Sequence, residues 1–105
     1  MKDYLTIKMK TKLFEFADGK EKKTIRVRVC DNLASKFSGL MFRSHSLPLL
    51  FVFRKETNII IHSFFCRKFL GIWLDEKRKV VKKEIVRPWR FSISGRGKYL
   101  LEVLL

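Results

Sequence analysis

Two histidines and two cysteines are the residues of this chain best suited to bind a metal or to form a covalent bond: His45, His62, Cys30 and Cys66. Structural zinc sites usually take their ligands in close pairs, and here only His62 and Cys66 are close in sequence. The β-branched run that precedes them favours a strand, on which four residues span about 13 Å. That distance is too long for one ion, so we expect no metal site. A hydrogen-bonded core histidine and buried thiols are the simpler interpretation.

A cysteine nucleophile needs an activating base and an electropositive surrounding. Arg67 and Lys68 next to Cys66 supply the second condition. The strand spacing separates His62 from Cys66, whereas a pairing of His45 with either thiol stays open. No known catalytic signature is present, so an enzyme using His and Cys is the least supported hypothesis, and we predict no cofactor.

Basic and aromatic residues alternate in the segment from Arg87 to Phe91, which reads Arg-Pro-Trp-Arg-Phe. Arginine can hold phosphate through two parallel hydrogen bonds while tryptophan stacks on a base. The alternative is a loop in which Trp89 covers the end of the core. Arg43 follows an apolar, helix-like segment, where it can bind an anion or cap the helix. Glu102 suggests a structural ion pair with Arg43 or another base.

The charge of the chain is strongly positive, with 24 Lys and Arg against 10 Asp and Glu and a formal net charge of +14. Such a field attracts polyanions, including RNA, DNA and acidic lipid surfaces. The bases are nevertheless scattered along the chain, as solvated strand faces would be. A role in solubility therefore remains the alternative to nucleic-acid binding. The absence of Gln and the abundance of Lys and Arg hint at a thermophilic source.

A length of 105 residues predicts one domain, 1–105. The beginning of the chain lacks the pattern of a signal peptide, so we expect free thiols and a cytoplasmic location. Arg67 and Lys68 interrupt the longest apolar run, which predicts no membrane span. Nothing in the sequence indicates the oligomeric state.

Alternating apolar residues predict strands at 4–9, 12–17 and 24–29, with the last two joined as a hairpin. Asp18-Gly19 is expected to form its type I′ turn. Residues 33–41 carry a helical stripe. Further strands are predicted at 49–53 and 59–65, separated by a polar turn at 54–58. We expect a break at 67–71, a hairpin of 72–74 with 80–86, an irregular loop at 87–90, a turn at 95–97 and a last strand at 98–104. The fold class is mainly β (α+β): a compact, mainly antiparallel barrel-like or folded sheet of about seven or eight short strands with one short helix.

Three segments give the chain a family resemblance. Gly39-Leu40-Met41-Phe42-Arg43 resembles the signature of the domain of unknown function 192 family. The apolar residues 50–53 and the aromatic stretch 61–67, continued by 72–75 and 80–81, follow in the order of that family, in the His-containing form of its archaeal members. The resemblance spans about residues 25–103 and implies a small β-rich fold without implying a reaction.

Two positions depart from the family pattern. Cys66 stands where the family usually has Met, and Leu70-Gly71 stands where it usually has Ile-Asp. A family carboxylate is therefore missing here, and with it any role which that group has.

These observations leave three functional hypotheses. The first is a non-catalytic binding protein with a cleft for an anionic ligand, formed by Arg43, His62, Arg67 and Trp89. The second is an RNA- or DNA-binding module that uses Arg87, Trp89 and Arg90 together with the basic surface. The third is the enzyme with His and Cys chemistry.

Overall fold

The computed structural model describes residues 10–30, 47–63, 66–90 and 92–105. Six strands lie in these ranges: β1 (Lys10–Asp18), β2 (Glu21–Cys30), β3 (Leu49–Ile61), β4 (Phe69–Leu74), β5 (Val80–Val86) and β6 (Ile93–Leu104). The mainly β class is confirmed, but the count of seven or eight strands is not. The strand predicted at 4–9 and the helix predicted at 33–41 lie outside the described residues. In the part of the chain that is described, no helix is long and apolar enough to cross a membrane.

All six strands belong to one sheet, in the order β1-β2-β3-β6-β4-β5. Neighbouring strands are antiparallel except β2 and β3, which pair in parallel through 28–30 and 49–51. The two edge strands approach each other where Ala17 and Lys79 form a bridge. There the Ala17 N–H donates to the Arg78 carbonyl at 2.9 Å. The sheet is therefore a curled half-barrel whose edges touch at this bridge.

The first hairpin is confirmed, but its turn differs from the predicted one. Asp18 pairs with Glu21, so Gly19 and Lys20 are the two central residues of the turn. Gly19 has a φ of +65°, whereas Lys20 is not among the described residues with positive φ. Positive φ at the first central position only, occupied by Gly, is the pattern of a type II′ turn. The predicted type I′ turn was wrong because the pairing register is shifted by one residue.

Strand β3 is one long strand and not the two short ones predicted. The pairing with β6 passes from Val52 opposite Tyr99 to Thr57 opposite Gly97, so that 53–56 face only Lys98. The polar segment 54–58 thus lies within the strand and is not a turn: 54–56 belong to a bulge, and 57–58 pair with β6. A bulge leaves residues unpaired and bends the strand, so it tolerates the same polar composition as a turn. The far end of the strand stops at Ile61, earlier than the predicted 65.

Apolar side chains are buried on both faces of the sheet. Along β3, Leu49 and Phe51 belong to one cluster and Leu50 to the other. Burial on both faces explains why 49–53 shows a continuous apolar run without alternation. The buried members of the first cluster are Cys30, Leu49, Phe51, Ile59, Cys66, Phe69, Trp73, Val86, Ile93 and Leu100. Those of the second are Phe14, Phe16, Val27, Leu50, Ile72, Leu74 and Leu101.

Trp73 is the largest wholly buried side chain of the described residues. Its indole Nε1 donates to the Ile59 carbonyl at 3.3 Å. A Cβ on Gly95, the residue paired with Ile59, would lie 2.7 Å from the indole ring, and one on Gly71 would lie 3.1 Å from it. The indole therefore packs directly on the backbone of β6 at Gly95. It also lies close to Gly71, which belongs to the same strand as Trp73, β4.

Two sequence predictions fail because glycine serves this close packing and not a turn. Residues 95–97 lie inside β6, and 69–71 lie inside β4, where a turn and a break were predicted. At Gly97, a Cβ would lie 2.6 Å from the Leu74 carbonyl oxygen. Glycine in a strand interior often marks such an approach of another backbone.

Replacing Gly97 by alanine tests this packing. We expect Gly97→Ala to lower the free energy of unfolding by about 1–3 kcal/mol, because the new methyl group must displace backbone. Urea unfolding gives the value, and Ser94→Ala, an exposed change in the same strand, should stay within about 0.5 kcal/mol of the unmodified protein. Equal stability of Gly97→Ala and Ser94→Ala would contradict the close approach.

Candidate functional site

Three of the predicted ligand-binding residues lie in described parts of the chain. Arg67 and Trp89 are exposed, and His62 is half-buried just after β3 ends. Arg43 lies outside the described residues, so a cleft shared by Arg43 and His62 stays a prediction. The three residues of the nucleic-acid hypothesis, Arg87, Trp89 and Arg90, are all exposed in the loop between β5 and β6.

Ser63 joins the loop after β3 to the loop after β5. Its side chain is wholly buried. The Ser63 hydroxyl donates to the Arg87 carbonyl at 2.6 Å and accepts from the Arg90 N–H at 2.7 Å. The Ser63 N–H donates to the Arg90 carbonyl at 3.1 Å, and the Ser63 carbonyl accepts from the N–H groups of Trp89 (3.0 Å) and Cys66 (3.2 Å). One residue thereby fixes the backbone on both sides of Trp89 and connects the two predicted sites.

The backbone of this loop places the Trp89 ring toward solvent. Trp89 has a φ of +64°, a left-handed conformation that costs a residue with a side chain about 1–2 kcal/mol. Trp89 is 58% exposed. Of the two alternatives for Trp89, this exposure disfavours a ring that covers the end of the core. The hydrogen bonds of Ser63 hold the strained backbone in place.

Exposed basic residues lie in the same loop as Trp89 and in the loop that Ser63 joins to it. Arg87 and Arg90 flank Trp89, and Arg90 Nη1 lies 3.7 Å from Glu84 Oε2, a surface pair that contributes little energy. Arg67 and Lys68 are exposed in the facing loop, which Ser63 connects through Cys66. We name Arg67, Arg87, Trp89 and Arg90, together with His62, the Ser63-anchored surface.

Sequence reasoning missed Ser63 itself. It stands in an aromatic run, where a small polar residue attracts little notice. The available signal was its position between a β-branched strand and a loop. A hydroxyl in that place must find hydrogen-bond partners if it is buried.

The environment of Cys66 works against a thiolate nucleophile. Both cysteines are free and buried, as the sequence predicted. Burial, and next the neighbouring Glu102 carboxylate, raises the pKa of the Cys66 thiol to about 11, whereas activated cysteines have lowered pKa values. The predicted distance between His62 and Cys66 assumed that both lie on one strand. That assumption was wrong, because β3 ends at Ile61. Within the described ranges, no group of three or more His, Cys, Asp and Glu residues is placed to hold a metal ion.

Glu102 is a buried carboxyl group. It lies on β6 between Leu49 of β3 and Gly71 of β4, and it is 5% exposed. Burial raises the pKa of Glu102 to about 8, because the charged form is disfavoured away from water. Its predicted partner Arg43 lies outside the described residues. Across the parts of the chain described, no basic side chain forms an ion pair with it. Glu102 is therefore mainly a neutral acid at pH 7.

The raised pKa of Glu102 predicts a pH-dependent stability. Folded Glu102 keeps its proton up to about pH 8, whereas the unfolded chain releases it near the ordinary value of 4.5. The contribution of Glu102 to the free energy of unfolding is therefore fully present below pH 4.5. It is lost as the pH rises from 4.5 to 8, at up to about 1 kcal/mol per pH unit. Glu102→Gln should flatten this part of the curve in urea unfolding at several pH values. The exposed Glu21→Gln should follow the unmodified protein, and parallel curves for all three proteins would contradict the raised pKa.

Removing the Ser63 hydroxyl tests the junction between the loops. Ser63→Ala leaves the Arg87 carbonyl and the Arg90 N–H without this partner, so we expect a loss of about 1–3 kcal/mol in unfolding free energy. Amide hydrogen exchange should accelerate at Arg90 more than at residues of β2. Ser92→Ala, an exposed serine before β6, is the matched control and should change neither value. Unchanged exchange at Arg90 in Ser63→Ala would refute the junction.

Two solved structures share this fold. A suggested transcription regulator from Sinorhizobium meliloti 1021 superposes with a TM-score of 0.78 at 13% identity, covering 91% of this chain and 81% of that one. A protein of unknown function from Novosphingobium aromaticivorans DSM 12444 has a TM-score of 0.76 at 16% identity, covering 90% of this chain and 73% of that one. At these identities the likeness concerns the fold alone.

Sequence relatives come from archaeal thermophiles. The UPF0127 protein of Pyrococcus furiosus is 40% identical over 82 residues, which are 74% of this chain and 71% of the relative. Those of Pyrococcus abyssi and Pyrococcus horikoshii are both 35% identical, over 73% and 72% of this chain and 69% and 70% of their own lengths. No family model matches the chain, so the domain of unknown function 192 label stays a prediction. On the strength of these relatives, the chain belongs to the UPF0127 family, which is uncharacterised.

Proposed function

We propose that residues 1–105 form a non-catalytic binding domain for an anionic ligand, and that the ligand binds at the Ser63-anchored surface. One observation carries the proposal: Trp89 is 58% exposed in a loop between two exposed arginines, Arg87 and Arg90, and the loop backbone is hydrogen-bonded to the wholly buried Ser63. Large rings are normally buried in a folded core. A ring presented in this way offers a flat surface for stacking beside two donors for phosphate or carboxylate.

The rigidity of the loop supports the proposal. Four hydrogen bonds connect Ser63 to Arg87, Trp89 and Arg90, and all are 3.1 Å or shorter. A site whose backbone is fixed before binding loses less conformational freedom when the ligand arrives. The strained conformation of Trp89 fits this interpretation, since strained residues cluster where a ligand is held.

The second candidate is binding of single-stranded RNA or DNA. The combination of a stacking ring, flanking arginines and a net charge of +14 favours it. The structurally similar Sinorhizobium protein is called a suggested transcription regulator, which is in keeping with this candidate. Catalysis has less support, because the raised pKa of Cys66 keeps its thiol protonated.

A binding experiment with two probes separates the candidates. We expect labelled oligouridine or uridine monophosphate to bind at low salt, measured by anisotropy and by competition. Trp89→Ala should weaken binding about tenfold, because stacking on an aromatic ring contributes substantially per base. The double variant Arg87→Ala, Arg90→Ala should also weaken it, whereas Lys20→Ala, which removes one exposed cation from a hairpin turn, should not.

The salt dependence then identifies the ligand class. For single strands, the logarithm of affinity falls with the logarithm of salt by about 0.7 for each phosphate contacted. A steep fall for oligouridine indicates a nucleic-acid surface, and equal binding of the monophosphate indicates a small anion. Absence of binding by both probes at low salt, or equal binding by Trp89→Ala, would overturn the proposal.

A further inference from the structure

A pocket of about 190 Å³ opens where the edge strands β1 and β5 meet. We name it the seam pocket, and it is lined by Glu15, Phe16, Ala17, Lys22, Lys77 and Arg78. It lies beside the bridge between Ala17 and Lys79. None of its residues belongs to the Ser63-anchored surface.

Basic residues from two different elements line this pocket. Lys22 is paired directly with Ala17 across the first hairpin, so the two side chains share one face of the sheet. Glu15 is two residues before Ala17 and lies on that face too. Lys77 and Arg78 come from the turn between β4 and β5. Three cations and one carboxylate leave a formal excess of two positive charges around the pocket.

These cations lack the carboxylate partners that their neighbours have. Lys23 and Lys83 both contact the Asp18 carboxylate, at 3.6 and 2.8 Å. Considering only described residues, no such ion pair is formed by Lys22, Lys77 or Arg78. A bound anion would supply the counter-charge that these side chains lack among the described residues.

The turn that carries Lys77 and Arg78 is held rigidly. The Asp75 carboxylate accepts from the N–H groups of Lys77 at 2.8 Å and Lys79 at 2.9 Å. The Asp75 carbonyl accepts from the Arg78 N–H at 2.9 Å. Arg78 has a φ of +64°, and these bonds stabilise that conformation.

The Arg78 side chain is also positioned before any ligand binds. Its guanidinium carbon lies 5.0 Å from the centre of the Phe14 ring and 5.7 Å from that of Tyr99. Both distances fit cation–π contacts. Such contacts orient the guanidinium while leaving its N–H donors available at the edge of the group.

We propose that the seam pocket binds the terminal phosphate of a small phosphate monoester. The monoester carries nearly two negative charges at neutral pH, which matches the formal excess of the lining residues. Arginine and lysine are the side chains that most often hold phosphate. The apolar side chain of Ala17, on the same face as Lys22, would contact the carbon atoms next to the phosphate. This site is separate from the one proposed above and does not rest on it.

Amide chemical shifts under titration with inorganic phosphate, and then with uridine monophosphate, test the proposal. We expect saturable shifts at Ala17 and Lys79, with affinity lowered about fivefold in Lys22→Gln and in Lys77→Gln. Lys23→Gln is the matched control, because its ammonium group already contacts Asp18, and it should retain the affinity. Glu15→Gln should bind phosphate more tightly, because it removes the one negative charge of the wall.

Two results separate the seam pocket from general charge effects. Sodium chloride at matched ionic strength should not reproduce the shifts, and Trp89→Ala should not alter them. Shifts that chloride reproduces, or that are the same in Lys22→Gln, Lys77→Gln and Lys23→Gln, would overturn the proposal. So would the absence of shifts at Ala17 and Lys79 with both phosphate probes at low salt.

Discussion

The packing of the Trp73 indole against bare backbone organises the centre of this half-barrel. The ring projects from β4, donates its N–H to β3 at Ile59 and lies on β6 at Gly95. Any larger residue at Gly95 would overlap the ring. The bulge in β3 bends the β3–β6 ribbon, so its far half reaches over Trp73. In this far half, β3 ends at Ile61, two residues before Ser63. The paired strand β6 begins at Ile93, shortly after the loop that carries Trp89. The position of the Ser63-anchored surface thus depends on how the ribbon packs over Trp73.

Charge is divided sharply between the interior and the surface. The described interior holds one buried carboxyl group, Glu102, and its raised pKa means that it carries little charge at neutral pH. Protonation of Glu102 avoids the cost of burying its charge away from water. Most described cations are exposed, where water screens their repulsion, whereas Arg28 is half-buried and its Nε is shielded from water.

Local patterns predicted the strands best where one face is exposed. The alternation in 24–29 and the turn signal at Gly19 identified the first hairpin, because period-two burial and positive φ are local properties. Predictions failed where a residue serves a distant contact. Gly95 and Gly97 read as a turn because the sequence does not reveal that Trp73 and Leu74 pack against them. The polar segment 54–58 read as a turn because its pairing partner, β6, is about forty residues away in sequence.

The candidate sites show the same limit. Trp89 with its flanking arginines was recognised because exposed aromatic and basic residues alternate within five positions. Ser63 was not, since its partners stand 24 and 27 residues away. The seam pocket was missed for a similar reason, because it joins Lys22 to Lys77 and Arg78 through a bridge between the first and fifth strands. Residue types indicate which chemistry is available, but the long-range pairing decides which groups meet.

Both proposed anion surfaces share a physical feature that the other basic residues lack. Lys23, Lys82 and Lys83 contact carboxylates within 4.0 Å, and many other bases are spread singly over strand faces. At Trp89 and at Arg78, by contrast, the backbone is left-handed, with φ near +64° at both residues. Each conformation is fixed by hydrogen bonds from a distant or turn-forming polar side chain, Ser63 in one case and Asp75 in the other. In both places a fixed backbone carries two or more basic residues that are close together in the chain. Because a left-handed conformation at a residue with a side chain costs folding free energy, an anionic ligand gives the simplest reason for its presence at these two places.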